Sequence, residues 1–156
     1  MIYYLVTTDR DAEVFQRLSE GKVPEGKIEV IGEGAAELRR YKEDDVLVHI
    51  GYARGYKIDA GRIVEPVYVV DMQTREVIRA DAIFPIEHRI CFTADEEMDA
   101  PESDYAVACD KELFKIMNTK HKRAHALKIV KGDSDGSEYE EQWKEAIRLI
   151  GKFVRE

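Results

Sequence analysis

The feature that most constrains the fold is an alternation of short apolar runs with segments of helical periodicity. The residues from Ile2 to Thr7 and from Val46 to Ile50 form apolar runs rich in β-branched and aromatic residues, without polar alternation. Such runs are typical of strands that are covered on both faces. The residues from Asp9 to Leu18 follow the first run directly and place Val14 and Phe15 at helical spacing. A strand that passes directly into a helix predicts an α/β protein.

The middle of the chain adds antiparallel strands to this pattern. Two β-rich runs between Arg62 and Ala80 are separated by the polar residues MQTR, which is a hairpin signal. Further predicted elements are strands at Lys27–Ile31, Arg89–Thr93, Tyr105–Cys109 and Ala126–Val130, and helices at Gly34–Tyr41, Asp110–Asn118 and Glu138–Val154. We therefore expect one compact domain over residues 1–156, a three-layer αβα sandwich with a mixed central sheet.

Composition narrows the classes of partner. The chain has 24 Lys and Arg against 32 Asp and Glu, a formal charge of −8, which disfavours nucleic acid and anionic lipid. The apolar runs are too short to cross a membrane, and the start MIYYLVTTDRD lacks a secretory pattern, so a cytoplasmic protein is expected. Cys91 and Cys109 lack ligand spacing and are expected to be reduced core thiols, with no metal site. His49, within VLVHIG, is interpreted as a hydrogen-bonded core histidine rather than a base.

Candidate functional residues lie where predicted strands end and helices begin, the usual place for ligands in an open α/β sheet. Three carboxylates qualify: Glu13, Glu112 and Asp133. Taken singly, each carboxylate can be explained as an acid stabilised by the positive end of a helix. The argument for a site is that all three are expected at the same edge of the sheet. The segment after the strand at Val46–Ile50 is expected to turn at Gly51, where small residues such as Ala53 let backbone amides approach a ligand.

The order of these motifs resembles the nucleoside phosphorylase superfamily, and within it the methylthioadenosine/S-adenosylhomocysteine nucleosidases, in a shortened form. DAEVFQRL resembles the family's EEEV turn, and HIGYARGYKIDAGRIVEPVYVVD resembles its strand, glycine-alanine-glycine turn and GDIV segment. CFTADE resembles the SGDxF strand end, DKELFKI the DMExxAI helix start, and LKIVKGDSD the strand that ends in the catalytic aspartate. The resemblance runs nearly end to end.

The resemblance implies a role for each candidate. Glu13 corresponds to the water-activating glutamate. Asp133 corresponds to the aspartate that delivers a proton to the purine after a shift of one residue, because strict spacing places Gly132 in the catalytic position and Asp135 at the motif's second acid. Glu112 corresponds to the ribose-binding glutamate. Gly51, Ala53, Phe92 and Met98 complete the implied substrate-binding set. These roles suit cleavage of an N-glycosidic bond, which needs an activated nucleophile and a protonated leaving base.

The resemblance implies a nucleosidase-like hydrolase for a purine nucleoside or 5′-thionucleoside, without a cofactor or metal, and a homo-oligomer, with a dimer favoured. The arginine pattern that binds phosphate in true phosphorylases is absent from VTTDRDAEV, which favours hydrolysis over phosphorolysis. The segment between CFTADEEMD and YAVACD is shorter than in the family. Two alternatives therefore stay open: a nucleoside-binding module without catalysis, and a structural partner subunit.

Overall fold

The computed structural model of the chain describes residues 1–19, 25–32, 41–94, 107–110, 112–118, 123–132 and 139–155. In chain order the elements are β1 (Ile2–Val6), α1 (Asp9–Leu18), β2 (Lys27–Val30), β3 (Val46–Gly55), β4 (Ile63–Asp71), β5 (Val77–Arg79), β6 (Glu87–Ala94), β7 (Val107–Asp110), α2 (Glu112–Met117), β8 (Arg123–Lys131) and α3 (Glu140–Arg155). Parallel and antiparallel pairs both occur, so the α/β class and the mixed sheet are confirmed. The helix predicted at Gly34–Tyr41 falls almost entirely outside the described residues.

Five of the strands pair in a closed ring. β3 pairs with β8, β8 with β4, β4 with β6, β6 with β7, and β7 returns to β3. β1 and β2 extend the sheet from β3, and β5 extends it from β4 as the predicted hairpin. The three-layer sandwich is not confirmed, because a ring of strands forms a barrel rather than an open central layer.

The ring closes because β3 is longer than its sequence suggests. The prediction of a glycine turn at Gly51 is wrong, because the strand continues to Gly55. In this extension Arg54 and Gly55 pair antiparallel with Ala108 and Val107 of β7. The added residues thus supply the contact that joins the two sides of the barrel.

The start of α1 follows β1 without a connecting loop, as predicted. Thr8 is the N-cap residue, and its side-chain hydroxyl accepts a hydrogen bond from the backbone N–H of Asp11 at 3.1 Å. Val14 and Phe15 lie on the buried face of the helix. This cap fixes which helix residues face the strands.

Both faces of the central strands are covered, as the unbroken apolar runs predict. Residues at alternate positions of β1, β3 and β8 belong to two hydrophobic clusters. One cluster includes α1 and α3, and the other includes α2 and residues from all five strands of the ring. The second cluster therefore fills the barrel.

A buried carboxylate fastens the connection between β5 and β6. The side chain of Glu65 on β4 is wholly buried and accepts hydrogen bonds from the backbone N–H groups of Ile83 and Phe84, each at 3.0 Å. Burial raises the pKa of this carboxyl group, and the two backbone donors and His88 oppose the shift. Each carboxylate oxygen thus satisfies one backbone donor.

We expect Glu65→Gln to lower the free energy of unfolding by about 1–3 kcal/mol. An amide has a single acceptor oxygen, so one of the two N–H groups loses its partner. Urea unfolding followed by circular dichroism measures the change, and Glu76→Gln, at an exposed position, is the matched control. A loss under 0.5 kcal/mol, about the range of ordinary surface substitutions, would contradict this account of the loop.

Candidate functional site

A lysine and a histidine form a polar pair in the barrel. His49 on β3 and Lys128 on β8 lie on the strand faces that also carry Ala53 and Val130 of the barrel-filling cluster. The Lys128 ammonium donates to Nε2 of His49 at 2.7 Å, and the two residues are 1% and 0% exposed. Within the described ranges no carboxylate lies within ion-pair distance of Lys128. A charged group this deeply buried is expensive unless it has polar partners.

The tautomer of His49 follows from its two contacts. Its Nδ1 lies 2.9 Å from the backbone carbonyl oxygen of Leu5, which only accepts hydrogen bonds. Nδ1 therefore carries the proton, and Nε2 is the acceptor that faces Lys128. Burial, and then the charge of Lys128, hold the pKa of His49 well below its usual value. The interpretation of His49 as a hydrogen-bonded core histidine is confirmed.

The lack of a side chain at Gly51 leaves room for the side chains of His49 and Lys128. A Cβ atom at Gly51 would lie 2.8 Å from Nε2 of His49 and 3.1 Å from Nζ of Lys128. The space beside Gly51 is therefore filled by two side chains of the protein rather than left open for a ligand. Ala53 is 3% exposed and packs in the barrel-filling cluster. The ligand-binding role assigned to both residues stays a prediction.

A carboxylate lies at the edge where β1 and β8 end. β1, β3 and β8 run parallel, so their carboxyl ends share one edge of the barrel. Asp11, in the first turn of α1, is 8% exposed there. Burial raises the pKa of Asp11, whereas hydrogen bonds to Thr8 and the charges of Lys128 and Lys131 lower it. The contact that the structure gives Asp11 is with Thr8, in the cap of α1.

Glu13 does not join this group. Its side chain is 62% exposed and forms an ion pair with Arg17 at 3.2 Å, one turn further along α1. Arg17 also contacts Glu140 at the start of α3, at 3.0 Å. The described contacts of Glu13 are therefore those of a solvated helix surface, and its catalytic role stays a prediction.

The other predicted site residues are only partly described. Phe92 is partly buried on β6, where it pairs with Ala108 of β7. Glu112 is the first residue of α2, and its backbone position is all that the structure describes. Asp133 and Met98 lie outside the described residues, although Asp133 follows within two residues of the end of β8. The structure thus does not bring the predicted site residues together within the ranges that it describes.

Sequence reasoning missed that Asp11 and Lys128 are buried, although the sequence contains a signal for each of them. Asp11 precedes Val14 and Phe15 by three and four residues, which places it on the buried face of α1. Lys128 interrupts the apolar run ALKIV in a strand that is otherwise buried. A charged residue inside such a run needs a partner, and His49 likewise interrupts the apolar run VLVHIG.

Two other expectations bear on the class of site. Across the part of the chain that the structure describes, no three His, Cys, Asp or Glu side chains are grouped so as to hold a metal ion. Cys91 carries a buried thiol rather than a disulfide. None of the helices in the described ranges combines the length and hydropathy that crossing a bilayer requires.

Comparison with solved structures identifies the fold. The chain is similar to a futalosine hydrolase mutant of Helicobacter pylori, with a TM-score of 0.68 and 8% identity over 99% of this chain and 98% of that one. It is also similar to MTAN from Chlamydia trachomatis bound to adenine, with a TM-score of 0.67 and 11% identity over 99% of each chain. An MTA/SAH nucleosidase gives a TM-score of 0.65 and 13% identity over 99% of this chain and 95% of that one.

No protein-family sequence model and no curated protein sequence matches the chain. At identities of 8–13% the structural likeness establishes the fold. The chain has the fold of the nucleoside phosphorylase superfamily, in the form found in nucleosidases. The resemblance seen in the sequence motifs is confirmed at this level.

Proposed function

We propose that this protein is a nucleosidase-like hydrolase that cleaves the N-glycosidic bond of a purine nucleoside or 5′-thionucleoside. The observation that carries the proposal is the likeness of the whole fold to nucleosidases, one of which was solved bound to adenine and, as a mutant, bound to MTA. The carboxylates of α1, which begins directly after the carboxyl end of β1, support it, because hydrolysis needs a base for the attacking water.

The remaining roles follow the sequence resemblance. Asp133 is proposed as the acid that protonates the leaving base, and Glu112 as the acceptor for the ribose hydroxyl groups. Gly51, Ala53, Phe92 and Met98 are proposed to line the substrate, and a homodimer is the proposed assembly. Glu13, on α1, is proposed as the base that activates the water.

One observation favours a second candidate, a nucleoside-binding module without catalysis. The residue that the resemblance assigns to water activation, Glu13, is exposed and paired with Arg17. A scaffold that has lost its catalytic geometry still binds the same class of ligand. Turnover and binding must therefore be measured separately.

We expect the purified chain to release free base from methylthioadenosine, adenosine or inosine without added phosphate. Chromatography measures the base, and calorimetry measures binding of the same nucleosides. Binding without release would establish the binding module, and release only with phosphate would establish a phosphorylase. Neither binding nor release across the panel would contradict both candidates.

A further inference from the structure

His125 carries a buried imidazole that makes no hydrogen bond to the part of the chain that the structure describes. It lies near the start of β8 and is 6% exposed. Neither Nδ1 nor Nε2 has a hydrogen-bond partner among those residues. Ala126 on the same strand packs in the barrel-filling cluster, whereas Leu127 packs in the cluster that includes α3, so His125 lies on the face toward α3. A buried polar group in this state needs an explanation.

The ring of His125 packs against the last turn of α3. Its centroid lies 5.5 Å from that of Phe153, in edge-on geometry. Phe153 also meets the ring of Phe84 edge-on, with the centroids 5.9 Å apart. Phe84 belongs to the connection between β5 and β6, where its backbone N–H donates to Glu65. The imidazole is therefore part of the contact that joins the end of α3 to this connection.

A cavity of about 110 Å³ lies beside this contact. Residues 83–85 of the connection line it on one side, and Leu149, Lys152 and Phe153 of α3 line it on the other. Side chains that border a gap lack part of the dispersion contacts of a filled core. The end of α3 is therefore held to the connection mainly by the aromatic contact itself.

Charged groups from three elements lie around the imidazole. Arg123 is two residues earlier on the same face of β8, Asp81 follows β5, and Lys152 is next to Phe153 on α3. Burial, and then the charge of Arg123, lower the pKa of His125, whereas the backbone and side chain of Asp81 oppose this shift. The packed ring is therefore neutral at neutral pH. Asp81 is exposed, so a charged ring that pairs with it would lie nearer the surface.

We propose that His125 is a pH-sensitive latch that holds the last turn of α3 against the connection between β5 and β6. The neutral imidazole stays packed against Phe153. When the imidazole gains a proton, it leaves this apolar contact and pairs with the carboxylate of Asp81, and Phe153 separates from Phe84. None of these residues belongs to the predicted nucleoside site, so the inference does not depend on the proposed hydrolysis.

The direction of the pH effect follows from the two environments of the ring. A charge without a partner is costly in the packed state, whereas the opened state exposes the imidazole to water and to Asp81. The opened state therefore binds the proton more tightly, and its population rises as the pH falls below the ordinary histidine pKa of about 6.5. One proton changes this population by at most about tenfold per pH unit.

The competing explanation is that His125 only fills space and stays neutral throughout. In that case a fall in pH weakens the protein as a whole, through its many carboxylates, and does not act first on α3. Amide hydrogen exchange of the full chain, corrected for the intrinsic exchange rate at each pH, separates the two explanations residue by residue.

We expect the protection of the Phe153 amide to fall by up to about tenfold per pH unit below about pH 6.5. The amide of Phe15, on α1, should keep its protection over the same range. Equal losses at Phe153 and Phe15 would show global destabilisation and would overturn the proposal. Unchanged protection at Phe153 would overturn it as well.

Two substitutions at exposed positions should move the onset of this change in opposite directions. Asp81→Asn removes the partner of the charged ring and should move the onset to lower pH. Arg123→Met removes a cation that disfavours the charged ring and should move it to higher pH. Asp44→Asn, at an exposed position in the segment before β3, is the matched control and should leave the onset unchanged.

His125→Leu removes the titrating group and should abolish the selective loss of protection at Phe153. Persistence of that loss in His125→Leu would overturn the proposal. If His125→Leu does not fold, the two surface substitutions still decide the question. An onset that stays at the wild-type pH in both Asp81→Asn and Arg123→Met would show that His125 is not the group that titrates.

Discussion

Replacement of Trp143 by alanine is expected to lower the free energy of unfolding by about 3–5 kcal/mol, the usual cost of a large cavity in a core. The indole is wholly buried where α3 packs against α1 and the barrel. It meets the rings of Phe15 and Tyr52 edge-on, with ring centroids 6.4 and 6.1 Å away. Its Nε1 donates to the hydroxyl of Tyr52 at 2.8 Å. The substitution removes both the packing and a partly buried hydrogen bond.

Urea unfolding measures this loss, and Lys144→Ala, exposed on the same helix, is the control. Trp143 is the single tryptophan of the chain, so the signal must be circular dichroism rather than fluorescence. An unchanged m-value would show that the midpoint shift reports stability alone. A loss under 1 kcal/mol would mean that the indole is not the centre of this cluster.

The elements that sequence analysis located well are those in which local pattern and burial agree. The bounds of α1 were predicted as observed, because Thr8 caps it and Val14 and Phe15 mark its buried face. β3 was predicted too short, because Gly51 and Gly55 are typical of a turn. In the fold, Gly51 is needed for close packing with Lys128, and Gly55 pairs with β7. Tertiary contacts that determine such a strand end are invisible in a local window.

The same limit applies to the site. Asp11 and Glu13 are two residues apart and lie about 200° apart around the helix axis, so the burial of one goes with the exposure of the other. The family pattern favours Glu13, whereas the helix phase set by Thr8 turns Asp11 inward. The pairing of His49 with Lys128 joins residues 79 positions apart. It depends on the parallel register of β3 and β8, which the sequence did not predict.

The second large effect is expected on the free energy of unfolding when the His49–Lys128 pair in the barrel is broken. His49→Leu should lower the free energy of unfolding by about 3–5 kcal/mol, because it leaves the charge of Lys128 buried without its acceptor. Lys128→Met should cost less, about 1–3 kcal/mol, since it leaves a neutral nitrogen of His49 unpaired. Chemical denaturation of both variants at neutral pH measures these losses.

The double variant His49→Leu with Lys128→Met tests whether the two residues act as one unit. Apolar side chains of similar volume then fill the barrel, and no buried polar group lacks a partner, so the double variant should be more stable than His49→Leu alone. Simple additivity of the two single losses would contradict the pairing. If the double variant is as stable as the wild type, the fold does not need this pair.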